Sequence, residues 1–172
     1  MRNKIDYGID LGTTNSAIAR IQDGIPTIIK SDTQKDTVPS CVHFNRKGNV
    51  LVGDLAYNQM RREAVQALKN SMSNSNTYVE FKRTMGSKVI YKCQNTSGAY
   101  SSEELSSEVL KKLKELVIDE NFSSVVVTVP AKFLSPQIEA TLTAAKMAGF
   151  SQVEILQEPV AAATAYGLAK PN

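Results

Sequence analysis

Long apolar runs, clustered cysteines and basic stripes are all missing from this sequence, and each absence removes a class of function. The longest apolar stretches, such as Val125-Val126-Val127, are far too short to cross a membrane. Residues 1–6 carry charge with no apolar segment behind them, so we expect no export signal. The 20 basic residues are scattered among 17 acids without interleaved aromatics, so we expect no nucleic-acid partner.

Cysteine is scarce as well. The two cysteines, Cys41 and Cys93, lack metal-ligand spacing, and the sequence leaves open a disulfide between them. The interpretation that we favour is two reduced thiols in a cytoplasmic protein.

What the sequence does have is ordinary for a globular chain. Its 172 residues, 42% hydrophobic and 22% charged, suffice for one domain or for part of a larger one.

The first third predicts an antiparallel meander. Apolar residues alternate over residues 5–9, 16–21 and 25–30, the period of a β-strand. Asp23-Gly24 between the second and third segments is a two-residue hairpin signal.

The middle of the sequence is less regular. It predicts a short strand over residues 41–44, a helix from Asp54 to about Leu68 and a strand over residues 89–93. Residues 78–85 fit either a helix or a loop.

The last third alternates helices with strands. Ser101 and Glu104 form a capping box that opens a helix, and residues 123–129 are typical of a strand buried on both faces. Ser135 is predicted to cap the next helix, with Pro136 at its first position.

Gly149 ends this helix, residues 153–156 form another strand, and Pro159 opens a final helix that ends near Gly167. Such alternation predicts parallel strands with crossover helices, and therefore an α/β fold with a mixed sheet flanked by helices.

The turn after the first strand is rich in groups that bind phosphate. Gly12 allows close approach of the backbone, and Thr13, Thr14 and Asn15 add polar side chains and three successive N–H donors. Asp10, at the end of the strand, suits a hydrated Mg²⁺. An ordinary polar turn would also contain such residues, and glycine in turns is routine. The sequence has neither the Gly-Lys-Ser/Thr ending of a Walker loop nor the glycine cluster of a Rossmann fold.

The stretch Ile9-Asp10-Leu11-Gly12-Thr13-Thr14-Asn15-Ser16 resembles the first phosphate motif of the actin-like ATPases, and especially that of the 70-kDa heat-shock (DnaK-like) chaperones. Further landmarks of that family follow in its order over nearly the whole chain. They are Thr37-Val38-Pro39-Ser40, Val52-Gly53-Asp54, Phe81-Lys82-Arg83-Thr84-Met85-Gly86, Val126-Val127-Thr128-Val129-Pro130-Ala131, Gln157-Glu158-Pro159 and Ala165-Tyr166-Gly167.

The resemblance implies a ribonuclease H-like (actin-like ATPase) lobe. Its core would comprise residues 1–37 and 117–172, with an α+β subdomain inserted at about residues 38–116. The family's second phosphate motif, adenosine motif and peptide-binding domain have no counterpart in the sequence. We therefore expect a fragment, the first lobe of a longer protein, with negligible ATP turnover by itself.

The resemblance also implies roles for single residues. The loop Gly12-Thr13-Thr14-Asn15 would cradle the β- and γ-phosphates of ATP, or the β-phosphate of ADP, and Asp10 would hold Mg²⁺ through water. Lys82 would orient the attacking water or stabilise charge on the γ-phosphate, and Glu158 would help to position metal-bound water. Without the family, Lys82 would be interpreted as a solvated lysine and Glu158 as an acid in a first helical turn.

Pro130 matches a proline that takes part in signalling between the nucleotide and peptide domains of the family; a simple strand terminator is the alternative. Five positions depart from the family. Leu134 and Ser135 lie where the family usually has Asn-Asp. Ile138 lies where the family has a basic residue, Leu142 where lysine is common and Glu154 where arginine is common. Such positions help to contact the interdomain linker and the J-domain cochaperone, so we predict altered or lost docking.

The full-length protein would hydrolyse ATP to switch its binding of unfolded peptide clients, helped by a nucleotide exchange factor. Two alternatives remain from the sequence: a lobe of another actin-like enzyme such as a sugar kinase, or a module that binds nucleotide or a partner without hydrolysis.

Overall fold

The computed structural model describes residues 5–70 and 75–169. Within these ranges the strands are β1 (Tyr7–Asp10), β2 (Asn15–Gln22), β3 (Ile25–Ile28), β4 (Val38–Pro39), β5 (Cys41–Phe44), β6 (Val50–Val52), β7 (Thr77–Val79), β8 (Tyr91–Lys92), β9 (Ala99–Tyr100), β10 (Ser124–Val129) and β11 (Gln152–Gln157). The helices are α1 (Asp54–Asn70), α2 (Ser102–Glu115), α3 (Ser135–Met147) and α4 (Glu158–Ala169), with a 3₁₀ helix at Phe81–Thr84.

A mixed sheet organises the molecule. Its strands follow the order β11-β10-β1-β2-β3. The short strand β4 pairs with the first residues of β2 and is not part of this linear order. The pairs β1–β2 and β2–β3 are antiparallel, whereas the pairs β1–β10 and β10–β11 are parallel. The predicted meander and the predicted α/β class are therefore confirmed. The hairpin prediction is confirmed as well, because Asp23 and Gly24 both have positive φ, 51° and 79°, as its turn requires.

Two smaller sheets lie in the middle of the chain, one in the order β6-β5-β7 and one of β8 with β9. The undecided stretch 78–85 divides into the end of β7 and the 3₁₀ helix. The strand predicted over residues 89–93 is shorter in the structure. It is the two-residue strand β8, which pairs with the two residues of β9. The polar residues 70–76, which the sequence predicts to end the first helix, lie largely outside the described residues.

The core forms where α2 and α3 pack against each other and against one face of the main sheet. The apolar stripe of α2 is fully buried, at Leu105, Val109, Leu110 and Leu113. Its capping box is confirmed: Ser101 Oγ accepts the Glu104 N–H, and Glu104 Oε2 accepts the Ser101 N–H.

Three expectations for the last third were wrong in detail. The N-cap of α3 is Leu134, not Ser135, because the Leu134 N–H donates to Gln137 Oε1 and places Ser135 inside the first turn. Helix α4 already begins at Glu158 and continues through Gly167, since one glycine weakens a helix without ending it.

The third error concerns β10, which is not buried on both faces. Val125, Val127 and Val129 are at most 1% exposed, whereas the alternate residues are half-buried. Helices α2 and α3 cover the first face, which belongs to the core, and leave the second face partly open.

Cys41 and Cys93 are both buried free thiols, as the favoured interpretation required. Burial, helped by the charge of Glu63, raises the pKa of Cys41 to about 12, so this thiol stays protonated and unreactive. None of the helices in residues 5–70 and 75–169 combines the length and the apolar character that a membrane span requires.

Candidate functional site

Three distant parts of the chain meet at one edge of the main sheet. The parallel strands β1, β10 and β11 end side by side. At the end of each strand lies a residue that the sequence analysis named. Asp10 closes β1, Pro130 follows β10 and Glu158 follows β11. Binding sites of open α/β sheets lie outside the carboxyl ends of the strands, so this edge is the expected place for a ligand.

Gly12 is required by the fold of the loop itself. A Cβ atom at this position would lie 1.9 Å from the carbonyl oxygen of Asn15, far inside van der Waals contact. The Gly12 N–H donates to Ser16 Oγ at 3.1 Å, so this amide is already used within the loop. The loop therefore turns back on itself tightly, and only glycine leaves room for the turn.

Two buried serines hold this loop in place. Ser40 Oγ donates to the carbonyl of Gly12 at 2.8 Å and lies 2.8 Å from Ser16 Oγ, while the Ser40 N–H donates to the carbonyl of Thr14. Since the Ser40 hydrogen is committed to Gly12, the Ser16 hydroxyl must donate to Ser40. Sequence reasoning assigned no role to either serine, although each belongs to one of the family landmarks.

The tip of the loop faces outward. Within the described part of the chain, the N–H groups of Thr13 and Thr14 have no acceptor, and the side chains of Thr14 and Asn15 are exposed. Successive free amides of this kind form a concave surface that favours an anion.

Asp10 is exposed at the end of β1 and accepts a hydrogen bond from Thr128 Oγ1 at 3.0 Å through its Oδ1. This bond orients the carboxylate and leaves Oδ2 for another ligand. Across the described residues, no three His, Cys, Asp or Glu side chains gather as a ready-made metal site.

Lys82 is a buried cation held by a single carboxylate. Its side chain is 5% exposed, and its Nζ lies 3.2 Å from Glu158 Oε1 and 5.5 Å from the centre of the Phe133 ring. A lysine this deeply buried needs a charged partner, because an unpaired buried charge is very costly. The pair joins the 3₁₀ helix to the start of α4, across 76 positions of sequence.

A groove of about 610 Å³ opens beside this pair. It is lined by Thr13, Thr14, Lys82, Arg83, Pro130, Lys132, Phe133 and Gln137. The structure thus brings the loop, the lysine and the proline together. Asp10, Gly12, Asn15 and Glu158 do not line the groove; Glu158 adjoins it through Lys82.

Sequence reasoning missed Arg83, Lys132, Phe133 and Gln137. The signal that could have found two of them is their position, since Lys132 and Phe133 follow directly on the carboxyl end of a predicted parallel strand. The family departures at Ile138, Leu142 and Glu154 lie elsewhere. Ile138 and Leu142 are half-buried on α3, and Glu154 is exposed on β11.

Comparisons with known proteins agree with this arrangement. The family model described as "Hsp70 protein" matches residues 6–172. "Chaperone protein dnaK" of Emiliania huxleyi is 36% identical over 189 residues, which cover 96% of this chain and 29% of the relative. "Chaperone protein DnaK" of Prochlorococcus marinus (strain MIT 9515) is 38% identical over 183 residues, covering 96% of this chain and 28% of the relative. The chain therefore spans less than a third of the length of these curated relatives. Because the family model matches nearly the whole chain, the protein belongs to the Hsp70 family.

Proposed function

We propose that this chain is the ATP-binding first lobe of a DnaK-like molecular chaperone in the cytoplasm, whose full-length form hydrolyses ATP to switch its binding of unfolded peptides. The relatives, each described as a chaperone protein, support the class of function. The ion pair that the buried Lys82 forms with Glu158, beside a loop of free amides, is the observation that carries the proposal.

The loop supplies the binding of phosphate. The free N–H groups of Thr13 and Thr14 would receive phosphate oxygens, and the buried serines keep those amides fixed before the ligand arrives. Such preorganised donors stabilise developing charge without rearranging during the reaction. Asp10, whose Oδ2 is left open by the bond from Thr128, would hold Mg²⁺ through water. When bound, Mg²⁺ would supply charge neutralisation on the phosphates.

Lys82 and Glu158 would supply the catalytic charge. Lys82 projects a buried ammonium into the groove, where it would stabilise charge on the γ-phosphate and orient the attacking water. Glu158 holds Lys82 through Oε1, which leaves Oε2, in a side chain 43% exposed, to position water.

We also propose the domain plan expected from the family, with residues 1–37 and 117–172 as the core and residues at about 38–116 as an inserted subdomain. The division of strands supports it, since β1, β2, β3, β10 and β11 share one sheet while β5, β6, β7, β8 and β9 form others.

The test is the rate of single-turnover ATP hydrolysis by the full-length protein with Lys82→Met. Methionine fills the buried space of lysine without its charge. We expect hydrolysis to slow by about 10²-fold or more, as happens when one transition-state donor is removed, while ATP binding persists. Lys47→Met, at an exposed turn outside the groove, is the matched control.

An unchanged rate in the Lys82 variant would contradict the proposed role. A parent protein that binds ATP and never hydrolyses it would instead support the non-hydrolysing alternative. Nothing in the fold or the comparisons favours a sugar kinase.

A further inference from the structure

We infer that Lys132 and Arg83 form a second anion subsite in the groove, beside Lys82, which holds a phosphoryl group. The group is either the terminal phosphate of the bound nucleotide or free orthophosphate. This inference rests on the proposed function, because it assumes that the groove receives phosphate.

Lys132 is presented by a fixed turn. The Phe133 N–H donates to the carbonyl of Pro130 at 3.0 Å, which closes a four-residue turn directly after β10 and makes Lys132 its third residue. The Phe133 ring then lies 5.5 Å from Lys82 Nζ. The turn therefore holds the backbone of Lys132 close to the buried Lys82, in the wall of the same groove.

The cations of the groove differ in how far they are neutralised. Lys82 is paired with Glu158 at 3.2 Å. Arg83 has a partner in Glu80 at 3.4 Å, but both side chains are more than half exposed, so that pair is weak and easily exchanged. Among the described residues, Lys132 has no carboxylate within salt-bridge distance. The lining thus contains three cations and no carboxylate.

The uncharged polar groups point to the same ligand. Gln137 uses its Oε1 to accept the Leu134 N–H at 3.0 Å, which leaves its amide nitrogen as a donor. Thr13 and Thr14 add free N–H groups and hydroxyls. A groove that offers donors and positive charge without a competing acidic group selects an anion, and phosphate fits the adjoining loop.

The test measures ATP and ADP affinities of the full-length protein by titration calorimetry. Its variants are Lys132→Gln, which removes the charge, and Lys132→Arg, which keeps it. If Lys132 faces the terminal phosphate, Lys132→Gln weakens ATP about fivefold more than ADP, as expected for one partly screened charge pair. This difference shrinks at high salt, and Lys132→Arg restores it. Lys47→Gln, the same change on an exposed turn, leaves the ratio unaltered.

A second arm uses inorganic phosphate as the probe, followed by ³¹P NMR with and without ADP. If the subsite holds free orthophosphate, Lys132→Gln weakens phosphate binding severalfold while the ratio of ATP to ADP affinity stays constant. A change in either arm supports the subsite and identifies the source of the phosphoryl group. The Arg83→Gln variant should change the affinity that Lys132→Gln changes, and in the same direction.

Unchanged results in both arms would overturn the inference. The outcome for the proposed function is separate, because it depends on Lys82. Suppose that Lys82→Met slows hydrolysis while Lys132→Gln changes neither the ratio of ATP to ADP affinity nor the binding of phosphate. The catalytic role of Lys82 is then supported and the second anion subsite is excluded. If ATP does not bind at all, the phosphate arm still decides whether Lys132 holds an anion.

Discussion

Gly12 determines the shape of the phosphate loop by the side chain that it lacks. A Cβ there would lie 1.9 Å from the Asn15 carbonyl oxygen, which is backbone and cannot rotate away. We therefore expect Gly12→Ala to displace the loop and to lower the free energy of unfolding by about 2–3 kcal/mol. Equilibrium denaturation with urea measures the loss, and nucleotide binding should fall with it.

Gly8 in β1 provides the control, because a Cβ built on it meets nothing within 4 Å. Gly8→Ala should therefore change the free energy of unfolding little. Equal effects of the two substitutions would show that the loop yields easily, against the steric argument.

His43, the single histidine, is buried on β5 between two other elements. Its Nδ1 lies 2.8 Å from Thr77 Oγ1 on β7 and 3.6 Å from Glu63 Oε1 on α1. Since the Thr77 hydroxyl donates to Glu63 Oε2, the His43 Nδ1–H must donate to Thr77. Burial lowers the pKa of His43 below its usual range, and the nearby Glu63 opposes that shift only in part.

The sign of the pH effect follows from this direction. The unfolded chain binds a proton at His43 near pH 6.5, whereas the folded chain resists it until a lower pH. The free energy of unfolding should therefore be at its full value above about pH 6.5 and should fall as the pH decreases below it. Urea denaturation at pH 7.5, 6.5 and 5.5 measures this slope. His43→Gln should flatten it, and a slope that persists in that variant would place the titration elsewhere.

At the scale of elements, α2 and α3 offer a direct comparison of two serines near helix starts. Ser101 caps α2 through two hydrogen bonds with Glu104, while Ser135 lies inside the first turn of α3. We expect Ser101→Ala to cost about 1 kcal/mol of stability. Ser135→Ala should stay within about 0.5 kcal/mol, as exposed positions do. Thermal and urea unfolding of both variants checks the contrast, and equal losses would count against the assigned caps.

These two helices also show what sequence can predict. The capping box of α2 involves residues three positions apart, so its signal is local and complete. The cap of α3 uses Leu134 and the side chain of Gln137. Because serine is a preferred N-cap residue, the sequence pointed to the neighbouring Ser135 instead. The alternation of strands and helices was enough to predict parallel strands in the last third, but the pairing of β1 with β10, which brings Asp10 beside Pro130 and Glu158, comes from the structure.

At the scale of the whole molecule, the groove could not be predicted. Lys82 and Glu158 are 76 positions apart, and neither neighbourhood carries a sign of the other. Before the family resemblance is considered, Lys82 is one lysine among 20 basic residues. Its burial depends on how the 3₁₀ helix packs against α2 and the start of α3. Gly86 contributes to that packing, because a Cβ on it would lie 2.7 Å from the backbone of Pro136.

The departures from the family give a prediction for the whole protein. Glu154 is exposed on β11, at a position where the family resemblance leads us to expect an arginine, and Ile138 and Leu142 are half-buried on α3. A reversed charge in a docking surface repels a partner suited to the original charge. We therefore expect a J-domain protein to stimulate single-turnover ATP hydrolysis by the full-length protein only weakly.

Glu154→Arg should recover part of this stimulation, by several-fold, since restoring one charge contact is worth on the order of 1 kcal/mol. Glu139→Arg makes the same change at an exposed position of α3 and serves as the matched control, with no gain expected. Adding Leu142→Lys to Glu154→Arg should raise the stimulation further if both positions contact the same partner. Strong stimulation of the unmodified protein would show instead that docking tolerates these replacements, and that the coupling to the groove does not depend on the charge at Glu154.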